Sequence, residues 1–254
     1  MASVALVELK DYLGQLLEVD TVEDYCPNGL QVEGRPVISR IVTGVTACQA
    51  LLDKAMMLRA DAVIVHHGYF WRGEAEPITG MKYRRLKTLF EGEMSLLAYH
   101  LPLDVHPEFG NNIQLAEKLG LQVTGRFSPD GHLDLVLLGE LAKPLGAEDF
   151  AAHVAKTLGR EPTLVTGGDH DIQSIALCTG AAQGFIGSVA ECGVDAYLSG
   201  EISEPTVHVA RERSVHYIAA GHHATERYGI EALGNHLASA FNLEVHFVDI
   251  ASPA

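Results

Sequence analysis

Apolar residues at Val4, Val7, Leu9, Tyr12, Leu13, Leu16 and Leu17 recur close to every 3.6 positions. They predict an amphipathic helix over 4–19 with Lys10, Asp11 and Gln15 facing outward. Pro27 and the Asn28-Gly29 pair mark a turn behind it. Beyond that turn, short apolar runs alternate with helical patterns. Strands are expected at 41–45, 62–65, 95–99, 175–177, 196–198, 215–219 and 244–250, with a weaker alternation at 133–138. Helices are expected at 49–58, 84–91, 113–119, 149–158 and 225–241. The strand runs are apolar at successive positions rather than at every second one, as required where helices cover both faces of a sheet. The order of elements predicts an α/β fold of sheets flanked by helices.

The chain also resembles itself. Displaced by 134 positions, Ile41, Ala47, Gln49, Asp61 and Ala62 fall on the identical residues Ile175, Ala181, Gln183, Asp195 and Ala196. Displaced by 122, His100 falls on His222 and Asp104 on Glu226. The expectation is two similar, interlocked α/β halves from an internal duplication. Residues 1–127 would carry His66, His67 and Asp104, and residues 128–254 would carry His222 and Glu226.

Composition narrows the function. The 254 residues are 47% hydrophobic, enough for a real core, which excludes disorder. Eighteen Lys and Arg against 33 Asp and Glu leave a net charge of −15, which argues against direct nucleic-acid binding. No apolar run reaches the roughly 18–20 residues of a membrane span, and Glu8 and Asp11 interrupt what would be a signal-peptide core, so a cytoplasmic location is expected. Cys26, Cys48, Cys178 and Cys192 form no C-x-x-C pair and read as buried, inert thiols.

Thirteen histidines are the unusual feature of the composition, and three clusters stand at predicted strand ends. His66-His67 follow the run Val63-Ile64-Val65. Neighbouring side chains on a strand point to opposite faces, so the pair can share a site only if the strand has ended and the backbone turns, which Gly68 permits. Metal ligation and plain strand-end hydrogen bonding both remain open for them. Tyr99-His100-Leu101-Pro102-Leu103-Asp104 repeats the design. Pro102 cannot continue a central strand, so Asp104 is expected in a loop, as a ligand or a turn-capping carboxylate. In Gly221-His222-His223-Ala224-Thr225-Glu226, a helix opening at Thr225 leaves His222 just before it and Glu226 in its first turn. There Glu226 is a ligand or a complement to the helix dipole. Three imidazoles and two carboxylates without thiolate exceed the needs of one catalytic zinc and suffice for two ions sharing a carboxylate and a water.

Four segments carry a resemblance: 24–32 (Asp-Tyr-Cys-Pro-Asn-Gly-Leu-Gln-Val), 63–71, 99–104 and 221–226. They resemble the signature segments of the YbgI-type dinuclear-metal family, whose members are often labelled GTP cyclohydrolase I type 2 homologues or interacting-factor-three-like proteins. The likeness runs over about 4–250 and lacks the middle domain of longer members. It implies two divalent metal ions (iron, zinc, manganese or nickel), with His66 and His67 each ligating one. Asp104 would join one ion and His222 the other, and Glu226 would bridge both. It also implies a toroidal homohexamer with the metal sites facing an internal cavity. Cys26 stands where a small residue is expected.

The expected activity is hydrolysis of a nucleotide or related heterocycle, GTP cyclohydrolase I type 2-like, through a metal-bridging hydroxide. The alternative is a metal-stabilised ring acting as a scaffold or regulatory partner without catalysis. His100 and Glu201 are candidate catalytic residues, supporting a ligand or transferring a proton. No purine-reading motif, Walker A or G-x-G-x-x-G is present; phosphate binding at the helix N-terminus after 43–46 or 179–184 and ordinary strand–helix turns both remain open there, and Asp169-His170-Asp171 reads as a solvated turn.

Overall fold

The structure, a computed structural model, describes residues 2–254. It divides into two compact units: one runs to Phe109 and takes up Gly229–Ala251, and the other is Gly110–Tyr228 with Ser252–Ala254. The packing borders therefore differ from a single division at 127/128. The last strand, Glu244–Phe247, pairs in parallel with Arg40–Thr46 and so belongs to the first sheet. His66, His67 and Asp104 still lie in one unit, and His222 and Glu226 in the other.

The first unit is built on five strands in the order Glu244–Phe247, Arg40–Thr46, Ala62–His67, Ser95–Ala98 and Gly29–Val32. All pair in parallel except Gly29–Val32, which runs antiparallel at the edge. Ile41 and Ile64 bury one face with Leu9 and Leu13 of helix Leu6–Leu16 and with Leu233 and Leu237. Val42, Val63 and Val65 bury the other with Leu51 and Leu52 of Gln49–Leu58 and Leu86 and Leu89 of Gly80–Gly92. Two-sided burial is why these strands read as continuous apolar runs.

The second unit has six strands in the order Gln122–Phe127, Val136–Leu145, Ile172–Cys178, Ala196–Ser199, His216–Ala219 and Thr163–Val165. Its three central strands are parallel. Phe150, Val154 and Leu158 of Ala147–Leu158 cover Ile175, Leu198 and Ile218, and Ile186, Val189 and Ala210 lie against Ala176, Tyr197 and Tyr217 on the opposite side.

The 134-residue offset recurs in the pairing. Ile41 stands opposite Ala62 in the first sheet and Ile175 opposite Ala196 in the second. Asp61 accepts the amides of Ser39 and Arg40 through Oδ2, and Asp195 accepts those of Gln173 and Ser174. This repetition supports the duplication reading. Among the described residues no helix is long and apolar enough to cross a membrane.

Four local expectations need correction. The strand Ala62–His67 continues through both histidines instead of ending before them. Asp104 lies in a short helix, Leu101–Val105, because Pro102, unable to extend a strand, suits a first helical turn. The helix His222–Phe241 opens at His222, placing His222 and Glu226 one turn apart. Cys192 is exposed, although Cys26 and Cys178 are buried as expected.

Candidate metal centre

In the first unit the parallel strand Ala62–His67 delivers two imidazoles at its carboxyl end, with ring centroids 4.5 Å apart. His66 is fully buried, and its Nδ1 lies 3.0 Å from the carbonyl oxygen of Tyr99. Only a protonated Nδ1 can donate there, so the Nε2 lone pair points the other way, and Asp104 Oδ1 stands 3.6 Å from it. His67 Nδ1 is 3.3 Å from the Thr46 hydroxyl. Gly68 follows, where a Cβ would collide with the Gln31 side chain and Ala98. The room left by the missing Cβ lets Gln31 Oε1 accept the Tyr69 amide at 2.7 Å while its Nε2 donates to the carbonyls of Pro27 and Tyr69.

A third imidazole, His100, lies 5.0 Å from the His66 ring and 5.7 Å from the His67 ring. The turn that holds it contains Asp24 and Asn28, to which the sequence pattern assigns no role. Asn28 Oδ1 accepts the His100 amide at 2.7 Å. Asp24 receives His100 Nδ1 at 3.0 Å, the Leu101 amide at 3.0 Å, Asn28 Nδ2 at 2.9 Å and its neighbour Tyr25's amide at 2.7 Å. Burial alone would raise the Asp24 carboxyl, but the hydrogen bonds from His100 and Asn28 and the His100 charge hold it down at about 2. The only sequence signal for this brace is an Asp four positions before Asn-Gly.

Ligand atoms of His66, His67 and His100 come within 4.8 Å of one another, as do those of Asp24, Cys26 and His100. The first trio suits an ion better. Asp24 already accepts four donors, and burial, then the charge of Asp24, pushes the Cys26 thiol up to about 12, keeping it protonated.

In the second unit His222 opens its helix between two carboxylates. Its Nδ1 lies 2.7 Å from Glu201 Oε1 and its Nε2 3.1 Å from Glu226 Oε2. Burial would lower its pKa, yet the hydrogen bond and charge of Glu226, then those of Glu201, raise it to about 9. The same two carboxylates that favour a proton on this imidazole also favour a metal cation in its place. Gly180 makes the room. Its φ is 68°, and a Cβ there would strike the Glu226 carboxylate and crowd His222 Nε2. The Gly180 amide is fixed by the Thr225 hydroxyl at 3.1 Å.

Within each unit the predicted ligands lie beside one another, and every donor is an imidazole or carboxylate, a set suited to divalent first-row ions. Asp169-His170-Asp171 is not part of either cluster: the His170 ring lies 4.2 Å from that of His216, tilted by 40°, and its Nε2 is 3.4 Å from the Asp195 carbonyl.

The family model for Duf34/NIF3 (NGG1p interacting factor 3) matches residues 4–253. The chain belongs to this family. A relative from Pseudomonas aeruginosa, named GTP cyclohydrolase 1 type 2 homolog, is 57% identical, covering 99% of this chain and 100% of its own. One of the same name from Escherichia coli K12 is 51% identical, over 97% and 98%. Among solved structures, protein ybgI superposes with a TM-score of 0.95 at 50% identity, covering 99% of this chain and all of its own. TTHA1606 from Thermus thermophilus superposes at 0.87 with 33% identity and the same coverage. The α/β architecture is therefore that of the Duf34/NIF3 family.

Proposed function

We propose that this protein is a dinuclear metal-dependent hydrolase acting on a nucleotide or related nitrogen heterocycle, in the cytoplasm and as a toroidal homohexamer. In this reading His66, His67, Asp104, His222 and Glu226 would be the ligands of two divalent cations. Iron, zinc, manganese and nickel all accept such donors. When bound, the cations supply Lewis acidity toward a carbonyl, amidine or phosphoryl oxygen and a nucleophile drawn from water near neutral pH.

The remaining work falls to the chain. The Tyr99 carbonyl fixes the tautomer of His66, and Asp24 keeps a proton on His100 Nδ1, leaving Nε2 as the acceptor toward the other two imidazoles. Glu201 takes the His222 Nδ1 proton in its hydrogen bond, which turns Nε2 toward Glu226. In this reading His100 and Glu201 hold or pass a proton at those nitrogens.

One observation carries the reading. His66, fully buried, has its Nδ1 occupied by a backbone carbonyl and its Nε2 opposite a buried carboxylate, the arrangement by which proteins orient an imidazole for a cation. The names of the relatives support the substrate class. The test is a screen of metal-loaded protein against nucleotides, cyclic amides and phosphoesters, with metal stoichiometry by elemental analysis. Two ions per chain and product from a ring-opening or ester substrate are expected. Full loading with no turnover on any class would leave a structural metal site and overturn the hydrolase reading.

A further inference from the structure

Beside the histidines of the first unit stands an aromatic wall that metal ligation does not use. Tyr25 and Trp71 lie 5.6 Å apart between ring centroids, inclined at 38°. Both meet His100 edge-to-face, Trp71 at 5.0 Å and 85° and Tyr25 at 5.1 Å and 76°. Trp71 also lies 6.0 Å from His67. Tyr25 is 50% exposed and Trp71 half-buried, so part of each residue reaches solvent next to the imidazole cluster. Rings of this size contribute most to stability when buried, and leaving two of them together at a surface forgoes that gain.

The wall is held rigidly. Trp71 Nε1 donates to the Gly68 carbonyl at 3.2 Å, fixing the indole's tilt relative to the strand that carries His66 and His67. The Arg72 amide donates to the Tyr25 carbonyl at 2.8 Å, tying the two loops together. Phe70, directly before Trp71, has φ 65°, the left-handed region that bulky residues avoid. Its amide and that of Trp71 are both held by Glu74 Oε2, at 2.8 and 3.2 Å. A strained residue maintained by such bonds is the kind of outlier that gathers at ligand sites.

We propose that Tyr25 and Trp71 form a stacking platform that selects a planar heterocyclic ring, offering its edge to His67 and His100. The mode is one-sided. A ring inserted between the two would need about 7 Å, twice a van der Waals layer, and they are 5.6 Å apart. Any base with a π-face can use such a platform, so it selects for planarity rather than for one purine. The proposal deepens the hydrolase reading and rests on it for the fate of the bound ring, but binding itself needs no turnover.

Trp71 is the single tryptophan of the chain, so its emission reports directly from the platform. The experiment titrates the full-length protein with guanosine 5′-monophosphate and, separately, ribose 5-phosphate, and follows Trp71 fluorescence with and without added metal. Saturable quenching by the nucleotide and none by the sugar phosphate is expected. Tyr25→Ala should weaken nucleotide binding on the order of tenfold, while Tyr25→Phe retains it. Equilibrium dialysis extends the test to Trp71→Phe, which should bind, and Trp71→Ala, which should not, with circular dichroism verifying the fold of each. Equal quenching by ribose 5-phosphate, no quenching by the nucleotide, or a folded Tyr25→Ala with unchanged affinity would overturn the platform. Quenching without product from any substrate leaves the platform standing and removes the hydrolase reading. Turnover with KM unmoved by Tyr25→Ala does the opposite.

Discussion

Asp24 and His100, brought together from distant parts of the first unit, meet at 3.0 Å through Oδ1 and Nδ1. The second unit repeats the device, with His222 Nδ1 held 2.7 Å from Glu201 Oε1. In each, a carboxylate from another loop grips one nitrogen of a histidine placed just past a parallel strand. The opposite nitrogen is thereby aimed, toward two imidazoles in one case and toward Glu226 in the other. Bracing of this sort fixes both ring orientation and tautomer before any ion arrives.

Asp24→Asn should lower stability by about 1–2 kcal/mol at neutral pH, since it removes a charge from a turn organised around one carboxylate. The sign with pH follows from the carboxyl being held at about 2, below its ordinary 3.8. Its contribution is complete above pH 4 or so and disappears as pH falls through 2. Thermal melts from pH 2 to 7 should show a shallower acid limb for the variant. Parallel curves would mean that Asp24 is not the group responsible.

His222 predicts the reverse trend in chelator-treated protein. An unfolded histidine titrates near 6.5, and this one is raised to about 9. The ion-pair contribution is therefore full below 6.5 and is lost as pH climbs through 9. Melting temperature should fall between pH 6.5 and 9.5, and Glu201→Gln should reduce that fall. Metal uptake at pH 7.5 should also release a proton, measurable by calorimetry in buffers of different ionisation enthalpy.

Glu226→Gln keeps the shape of the side chain and removes its charge. On the proposed function, metal content by elemental analysis should drop well below that of the parent and any turnover should vanish, while the oligomeric state seen by light scattering is unchanged. Undiminished metal content would remove Glu226 from the ligand set.

Gly180→Ala tests the steric side of the same cluster. The substitution forces a Cβ into a left-handed position and against the Glu226 carboxylate. We expect a loss of roughly 1–3 kcal/mol together with reduced metal occupancy. Gly14→Ala, in an open helical position of the other unit, should be neutral or stabilising and serves as the control.

The apolar runs determined much of this protein without help from tertiary structure. Helix Gln49–Leu58 lies where its periodicity put it, and the strands of both sheets fall on the runs at 41–45, 62–65, 175–177 and 196–198. Backbone propensity and two-sided burial act on neighbouring residues, so they leave a local trace. The residue types at the strand ends were also visible, which is why histidines and carboxylates stood out as chemistry. Tertiary structure alone decided that Asp24 braces His100, that Gly180 clears space for Glu226, that Tyr25 meets Trp71, and that the final strand completes the first sheet. Those relations depend on strand order and on loops crossing from elsewhere in the chain. Spacing along a sequence carries no record of which loop will supply the other half of a hydrogen bond.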